Sequence, residues 1–356
     1  MARVTMQTIA DRLGVSRMTV SNAFSRPDQL SAELREKVLA TAKAMGYVGP
    51  DPVARALARG KAGTVGVLLT DSVSDAFTDE VATGFLAALT TELAPTGTAL
   101  TLLTSVTEGD VIPARDLALD GAVVYSCRPD SEARRWLSRR RLPMVLVDQD
   151  PVEGVACVNV ADRDGARAAA EHLLELGHRR IGIVTFGGEP DSGISSHPEH
   201  ERMAGWTEAL DAAGVTPDVE VVRDHGDAEA EEAAGRLLDR PDRPTGILCF
   251  SDLLALGVVR AAGARGLAVP RDLSVVGFDD SPAASRLDPP LTTVRQDVAA
   301  KGQAAAAALV AELDALEDGV GAEGGRTPWA PHLRLPTALV VRESTAPPPA
   351  AGGTDA

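Results

Sequence analysis

The 356-residue chain is poor in aromatic residues, in cysteine and in positive charge. Aromatic side chains make up only 3% of it, so alanine, valine and leucine must form most of the hydrophobic core. The three cysteines, Cys127, Cys157 and Cys249, are odd in number and lie in apolar runs, which excludes a disulfide-built scaffold and fits reduced core thiols. Their spacing matches no metal-binding motif. We therefore expect a cytoplasmic protein without a metal or cofactor.

Long apolar runs are also missing. The chain begins with a helical pattern and no hydrophobic signal region, and no stretch is long enough to span a bilayer. It lacks a nucleophile elbow, a phosphate-binding loop and a dinucleotide fingerprint, and its glycine-rich stretch at 319–325 precedes no clear helix. The sequence therefore predicts neither a membrane protein nor an enzyme.

The negative charge is unevenly distributed along the chain. A formal net charge of −16 would normally argue against a nucleic-acid partner. Residues 1–61, however, contain ten basic and five acidic side chains, which gives them a net charge of +5 and leaves −21 for the remainder. A basic segment at one end of an acidic chain indicates a DNA contact confined to that segment.

The first 46 residues predict three short helices, with a tight turn between the first two. The predicted helices are 6–13, 17–25 and 32–45. Each follows a hydroxyl residue suited to the N-cap, and these caps are Thr5, Ser16 and Ser31. Gly14 suits the left-handed conformation that ends the first helix.

The second of these helices has side chains suited to a DNA major groove. Its outward residues are predicted to be Arg17, Met18, Ser21 and Asn22. Arg17 can pair with guanine O6 and N7, Asn22 can pair with adenine, and Met18 can contact a thymine methyl group. The alternative interpretation is a small helical bundle with a polar surface.

These features resemble the DNA-binding headpiece of the lactose-repressor and galactose-repressor (LacI/GalR) transcription factors. The residues that carry the resemblance are Ile9, Ala10, Gly14, Val15, Ser16, Thr19, Val20, Ser21, Ser31, Arg35, Val38, Gly46 and Tyr47. Motifs at 178–181, 275–280, 290–294 and 335–345 extend it over nearly the whole chain. The resemblance implies that Thr5, Ser16, Thr19 and Ser31 contact DNA with the outward residues of the second helix.

The segment after the headpiece predicts a helix of about eight residues between two breaks. Asp51 suits its N-cap and Gly60 its end. So short a helix is unstable alone in water, and it therefore needs a partner. The resemblance implies a hinge helix that folds with its copy in a dimer on DNA, with Leu57 wedged into the minor groove and Arg55 beside phosphates. The alternative is a simple linker.

From Thr64 onward, apolar runs alternate with helical patterns, which predicts βαβ units and parallel sheets. The predicted strands are 65–69, 100–103, 122–125, 144–147, 181–185, 245–250 and 273–278. The predicted helices are 80–93, 164–176, 202–213, 228–238 and 254–263. The length suits two doubly wound lobes of the kind found in periplasmic sugar-binding proteins.

The expected fold class is therefore α/β, with an N-terminal three-helix helix-turn-helix headpiece and a two-lobed, periplasmic-binding-protein-like domain with doubly wound parallel sheets. The expected boundaries are 1–49 for the headpiece, 50–61 for the hinge helix, 62–345 for the two-lobed effector-binding and dimerisation domain, and 346–356 for a disordered tail. The tail contains no heptad pattern, so we expect a homodimer and no tetramerising coiled coil.

Polar residues follow several predicted strands, where ligands of open α/β sheets bind. They are Asp71, Asp148, Gln149, Ser251, Asp252, Asp279 and Asp280. Any of them could instead cap a helix. Phe77 belongs to an unusually polar and acidic run, residues 72–79, at the first of these loops, and it is expected to contact the effector together with Asp71, Ser251 and Asp252.

The resemblance implies a cleft formed with Asp162, Arg202, Asp279 and Gln296. In it, Arg202 would grip effector oxygens and Asp279 would accept hydrogen bonds from hydroxyls. An arginine with carboxylates can donate and accept at once, so a neutral sugar or nucleoside-like effector is expected. The alternative is an ion pair between Arg202 and Asp279 that only supports the structure. Trp206 is expected in the core instead of acting as a stacking platform.

The favoured function is a ligand-controlled repressor that binds a near-palindromic operator as a dimer. A sugar-binding transport protein and a transcriptional activator that use the same cleft are the alternatives. His197 and His200 could form a metal site with nearby glutamates, but a solvated loop is the favoured interpretation.

Overall fold

The computed structural model describes residues 4–69, 73–104, 111–126, 131–187, 196–223, 227–317 and 332–349. The chain divides into two compact units. The first comprises the residues up to Thr64 together with 118–120, and the second comprises the remainder. In the described part of the chain, no helix is both long enough and apolar enough to cross a membrane.

The first unit contains three packed helices, which are α1 (Met6–Leu13), α2 (Arg17–Ser25) and α3 (Ala32–Ala44). Each begins at its predicted cap, whose side-chain oxygen accepts a hydrogen bond from the backbone N–H three residues later. Gly14 ends α1 in the left-handed conformation, with φ at 68°. The buried core of these helices consists of Ile9, Ala10, Val20, Ala23, Val38 and Ala42. The predicted headpiece helices are thus confirmed.

The predicted helix of about eight residues after the headpiece is also confirmed, as α4 (Pro52–Arg59). Its role as a hinge stays a prediction. The Asp51 carboxylate accepts hydrogen bonds from the N–H groups of Val53 at 2.9 Å and Ala54 at 3.1 Å. Gly60 closes the helix with φ at 68°. Both ends of α4 are therefore defined by local interactions that the sequence predicts.

The remaining elements alternate between strands and helices. The strands are β1 (Thr64–Leu69), β2 (Ala99–Thr104), β3 (Gly121–Tyr125), β4 (Met144–Val147), β5 (Ala156–Val160), β6 (Ile181–Phe186), β7 (Asp218–Val222), β8 (Gly246–Cys249), β9 (Ser274–Asp279), β10 (Thr292–Gln296), β11 (His332–Leu335) and β12 (Thr337–Val340). The helices are α5 (Val73–Ala76), α6 (Glu80–Leu93), α7 (Pro113–Asp116), α8 (Glu132–Arg139), α9 (Asp162–Glu175), α10 (His197–Ala212), α11 (Asp227–Leu238), α12 (Asp252–Ala264) and α13 (Val298–Glu317). Short 3₁₀ turns occur at Pro27–Gln29, Ala94–Thr96 and Ala284–Arg286.

The strands of the second unit form two sheets, each with helices packed on it. The first sheet has the order β11-β5-β4-β3-β1-β2, and with α5–α8 and α13 it forms the first lobe. The second has the order β12-β10-β9-β8-β6-β7, and with α9–α12 it forms the second lobe. Strands β11 to β1 pair in parallel, as do β7 to β10, whereas β12 runs antiparallel to β10. The expected two-lobed α/β fold is confirmed.

The predicted strands and helices of the two lobes are all found, although α10 begins five residues before its predicted start. The apolar and helical patterns did not predict the strands β5, β7, β10, β11 and β12 or the helices α5, α7, α8 and α13. Helix α13 is so rich in alanine that its faces differ little in hydropathy. Strands β7, β11 and β12 lie at sheet edges, where partial exposure weakens the apolar pattern.

Three chain crossings join the two lobes: from β5 to α9, from β10 to α13, and from β11 to β12. A hydrogen bond links the first crossing to the third, because the Ala161 N–H donates to the Leu335 carbonyl at 2.8 Å. The Thr337 hydroxyl also donates to the Ala161 carbonyl at 3.0 Å. The crossings bring the carboxyl ends of strands from both sheets to a common region.

The expectation of a disordered tail from Ala346 onward is wrong at its start. The Ala346 N–H donates to the Ser274 hydroxyl at 3.0 Å, and the Ala346 carbonyl lies 2.9 Å from Nε2 of buried His178. These bonds attach the segment to the start of β9. Residues 350–356, the glycine-rich stretch at 319–325 and Cys127 lie outside the described residues.

Two of the three cysteines lie in the core, as expected. Cys157 and Cys249 are both buried and free. Burial raises the pKa of the Cys157 thiol to about 12 and raises that of Cys249 well above its usual value. Neither is therefore a reactive thiol at neutral pH.

Candidate functional site

Helix α2 presents a mixed polar and apolar surface. Arg17 and Met18 are exposed, with Met18 at 68%, while Ser21 and Asn22 are half-buried. The Asn22 amide donates a hydrogen bond to Oε1 of Gln29 at 3.0 Å. Gln29, in the turn that follows α2, was not predicted from the sequence, and its hydrogen bond orients Asn22 on this surface.

The hydroxyl residues predicted to contact DNA also cap helices. Ser16 accepts from the Thr19 N–H at 3.0 Å, and the two hydroxyls are 2.9 Å apart. Thr5 and Ser31 cap α1 and α3 in the same way. Helix N-termini attract phosphate groups, so capping and DNA contact are compatible here. Contact of these residues with DNA remains a prediction.

Helix α4 has an apolar stripe that is exposed in the first unit. Val53 is 77% and Leu57 84% exposed, and residues four apart lie on the same face of a helix. Arg55 is exposed as well. An apolar stripe on so short a helix favours a partner surface.

The second unit contains a cavity of about 350 Å³ between its two lobes. Of the residues predicted at the cleft, Arg202, Ser251, Asp252, Asp279 and Gln296 line this cavity. Phe77 is 61% exposed and does not line it, although its neighbours Ala76 and Thr78 do. Asp71 lies outside the described residues.

Arg202 extends from α10 into the cavity wall and is only 4% exposed. Its Nε donates to Asp162 at 2.8 Å, and its Nη1 donates to the Phe250 carbonyl at 2.5 Å. Nη1 is also 3.5 Å from Asp279, so the ion pair weighed as an alternative is present, but the one with Asp162 is closer. The guanidinium carbon lies 3.6 Å from the Phe278 ring centroid and 4.3 Å from that of Phe250. Burial alone would lower the pKa of Arg202, but the two carboxylates outweigh it and raise this pKa.

Asp162 supports the arginine from behind the cavity. It is the first residue of α9, its side chain is fully buried, and it is not among the lining residues. Burial raises the pKa of Asp162, and the charge of Arg202 opposes that rise. Its position indicates that it orients Arg202 instead of contacting a ligand.

Asp279 and Gln296 form a hydrogen-bonded pair in the second lobe. The Gln296 amide donates to Asp279 Oδ1 at 2.6 Å. Burial raises the pKa of Asp279 well above its usual value, Arg202 opposes this, and the charges of Asp252 and Asp79 reinforce it. Gln296 Oε1 is buried without a hydrogen-bond partner.

Ser251 and Asp252 combine helix capping with a place in the cavity wall. The Ser251 hydroxyl accepts from the Leu254 N–H at 3.2 Å and caps α12. Asp252 accepts from the Thr293 hydroxyl at 2.5 Å and from the Ser281 N–H at 2.7 Å. Burial raises the pKa of Asp252 to about 6.

Asp148 and Lys301 form a buried ion pair in the first lobe. Lys301 Nζ donates to Asp148 Oδ2 at 2.7 Å, and the lysine is only 1% exposed. Asp148 lines the cavity, and its Oδ1 has no hydrogen-bond partner. The sequence places Asp148 at the end of a predicted strand, but nothing in it indicates Lys301 as the partner. Lys301 is the one lysine of the alanine-rich helix α13, and its position in that helix does not predict an ion pair with a distant strand.

Backbone strain is concentrated at the cavity. Ser126, Asp148 and Asp279 have φ values of 49°, 52° and 115°, and all three line it. Positive φ is rare for residues other than glycine and is often found at binding sites. The other predicted strand-end residues in the described ranges, Gln149 and Asp280, do not line the cavity. Gln149 accepts a hydrogen bond from Arg134, and Asp280 pairs with Arg295.

The interpretation of 195–201 as a solvated loop is wrong in its described part. His197 begins α10, and its Nδ1 lies 2.7 Å from Asp150 while its Nε2 lies 3.1 Å from the Asn159 amide. No group of three or more histidine, cysteine, aspartate or glutamate side chains in the described ranges could hold a metal ion. Trp206, on the same helix, is 1% exposed and belongs to the core as expected.

Comparison with known proteins gives two matches to family models. Residues 5–49 match the lacI family of bacterial regulatory proteins, and residues 170–345 match the periplasmic binding protein-like domain. An HTH-type transcriptional regulator of Mycobacterium tuberculosis is 39% identical over 328 residues, which cover 86% of this chain and 90% of that protein.

Two solved structures are also similar to the chain. The lac repressor dimer bound to operator and the anti-inducer ONPF has a TM-score of 0.77 at 27% identity, covering 97% of this chain and 100% of its own. The complex of the transcriptional regulator CelR with cellobiose has a TM-score of 0.67 at 29% identity, covering 96% and 100%. The chain belongs to the LacI family of bacterial regulatory proteins and is a DNA-binding transcriptional regulator.

Proposed function

We propose that this regulator represses transcription as a homodimer on a near-palindromic operator, and that a hydroxyl-rich small molecule in the cavity controls this binding. The observation that carries the proposal is the joint presence of exposed Arg17 and Met18 on α2, an exposed apolar stripe on α4, and a cavity between the lobes whose wall includes charged and polar side chains.

The surface of α2 supports reading of bases in a major groove. Arg17 can form two hydrogen bonds with guanine, and Met18 can cover a thymine methyl group. Asn22 can pair with adenine once its bond to Gln29 is exchanged for one to the base. Thr5, Ser16, Thr19, Ser21 and Ser31 supply hydroxyls or capped helix ends for the phosphates that position the headpiece.

The exposed stripe of α4 supports a dimer. Two copies of α4 on one operator would bury Val53 and Leu57 against each other or against bases, which neither copy can do alone. Leu57 would enter the minor groove and kink the central step, with Arg55 beside phosphates. The similar lac repressor structure is that of a dimer bound to operator.

The cavity supports a hydroxyl-rich effector. Arg202 shares the cavity wall with Asp279, Asp252 and Gln296, so the wall contains both a donor and several acceptors for hydroxyl groups. A similar solved structure holds cellobiose. An effector that prefers one arrangement of the lobes would shift the equilibrium between operator-binding and released states by its difference in affinity.

Selection of binding sites from random duplexes at a stated salt concentration tests the proposal. A near-palindrome with a flexible central step, bound by two protomers, is the expected result. Repeating the selection with fractionated metabolites should identify a small molecule that changes the affinity for that site. Binding by a single protomer to an asymmetric site would contradict the dimeric model.

A further inference from the structure

The cavity is lined by an excess of acidic side chains. Its described wall contains one basic residue, Arg202, and six carboxylates, namely Asp79, Glu80, Asp148, Glu199, Asp252 and Asp279. The first three belong to the first lobe and the last three to the second. A ligand between the lobes is therefore surrounded by negative charge from both sides.

The basic side chains near these carboxylates are already engaged. Arg202 pairs with Asp162 behind the wall and with Asp279, and Lys301 pairs with Asp148 from outside the cavity. Among the described residues, Asp79, Glu80 and Asp252 have no lysine or arginine at ion-pair distance.

Uncharged N–H and O–H groups donate hydrogen bonds to some of these carboxylates, but they do not neutralise the negative charge. Asp79 caps α6 through the Val81 N–H at 2.8 Å, and Asp252 is bonded to Thr293 and Ser281. A helix N-terminus contributes only about half a unit of positive charge. A net negative potential in the cavity follows.

Two residues of the wall each contain a buried acceptor atom without a donor. Asp148 Oδ1 and Gln296 Oε1 have no hydrogen-bond partner, and their residues are 4% and 5% exposed. Neither oxygen is accessible to water, and a buried acceptor without a donor costs free energy. A side-chain rotation that turned either oxygen towards a ligand N–H or O–H group would recover that cost. An anion would find no uncommitted cation in the described wall.

We infer that the ligand of this cavity is a polyol that carries a protonated amine, such as an amino sugar. The inference rests on the proposed function, because it names the chemical class of the effector for the same site. The ammonium group supplies donors and a positive charge to the carboxylates, and the hydroxyl groups bond to the remaining acceptors. Phosphorylated sugars are excluded by repulsion.

A neutral polyol would supply hydrogen bonds to the wall but no positive charge to the carboxylates. Burial raises the pKa of Asp279, Arg202 opposes this rise, and the charges of Asp252 and of Asp79, from the opposite lobe, add to it. Coulomb energies grow as water is excluded, so closure around a neutral ligand would raise this pKa further and favour the protonated, neutral form of Asp279. A cation placed among the carboxylates lowers the pKa instead and is attracted by the ionised form.

Calorimetric titration of the full-length protein tests the inference. The probes are D-glucosamine, D-galactosamine and D-mannosamine, each compared with its parent sugar, its N-acetyl derivative and its 6-phosphate. We expect at least one amine to bind about tenfold more tightly than its uncharged counterparts, as one additional ion pair in a partly dry site would produce. The 6-phosphates should not bind.

Asp79→Asn separates the effect of charge from that of structure. Asparagine caps a helix as well as aspartate, so α6 is retained while one negative charge is removed. The variant should lose about tenfold in affinity for the amine and less than about twofold for the parent sugar. Asp314→Asn, an exposed position on α13 that does not line the cavity, is the matched control and should change neither.

Three results would overturn the inference. They are parent or N-acetyl sugars binding as tightly as the amines, 6-phosphates binding more tightly, and no amine binding at millimolar concentration. The first two leave an effector site in place and reject only its charge preference. Failure to select any operator bears instead on the proposed repressor function, because the titrations are made without DNA.

Discussion

Lys301 and Asp148 are 153 residues apart in the chain, yet Nζ of one lies 2.7 Å from Oδ2 of the other in the interior of the first lobe. The second oxygen of Asp148 has no partner and belongs to the cavity wall. The pair therefore holds a carboxylate of the cavity wall in place. A helix on the outside of the first sheet is thereby connected to the cavity between the lobes.

Replacing Lys301 by methionine should destabilise the second unit by about 3–5 kcal/mol, because a buried carboxylate loses its counter-charge. Urea unfolding followed by circular dichroism measures the change. The double variant Lys301→Met with Asp148→Asn should recover much of the loss, since it removes the buried charge and asparagine tolerates the left-handed φ of 52°. No recovery would mean that the lysine contributes mainly through packing.

Arg17→Ala should cost about 1–3 kcal/mol of binding to the selected operator and relax the preference at one base pair. The physical reason is the loss of two hydrogen bonds to a guanine edge, with phosphate contacts retained. Repeating the site selection with the variant gives the preference at every position. An unchanged preference would exclude Arg17 from base reading.

Leu57→Ala should weaken binding to the operator while binding to unrelated DNA persists. The 84% exposed leucine contributes only where the centre of a site can be kinked around it. Fluorescence anisotropy with both duplexes at the same salt concentration measures the two affinities. Leu316→Ala, on α13 and 51% exposed, is the control, and equal losses on both duplexes would contradict the wedge role.

Asp252 should make the stability of the second unit depend on pH. Its pKa is raised by burial from 3.8 to about 6, so the folded state binds more protons than the unfolded state between these values. The free energy of unfolding should therefore fall as the pH rises from about 4 to about 6, by at most about 1.4 kcal/mol per pH unit from this group, and stay constant above that.

Asp252→Asn should flatten that slope, because it removes the titrating proton while its side-chain oxygen can still accept a hydrogen bond. Thermal unfolding of both proteins across this pH range measures the difference. If both slopes are the same, the raised protonation belongs to another carboxylate in the cavity, such as Asp279, whose pKa is also raised by burial.

The sequence by itself determined the local structure of the headpiece and the hinge. Thr5, Ser16 and Ser31 cap their helices through atoms three residues away, and Asp51 and Gly60 define both ends of α4. Such interactions stay within one turn of helix, so residue type and spacing are sufficient to predict them. The strongly apolar central strands were predictable for a similar reason, because their pattern is continuous along the chain.

Only the tertiary structure decided the composition of the cavity. It placed Asp162 behind Arg202, left Phe77 out of the wall and joined Asp148 to Lys301. The edge strands β11 and β12 also depend on tertiary structure, because their pairing partners are more than 30 residues away in the chain. Sheet order and chain crossings bring together side chains from separate strands and helices. The spacing of residues along the sequence does not predict the distances between those side chains.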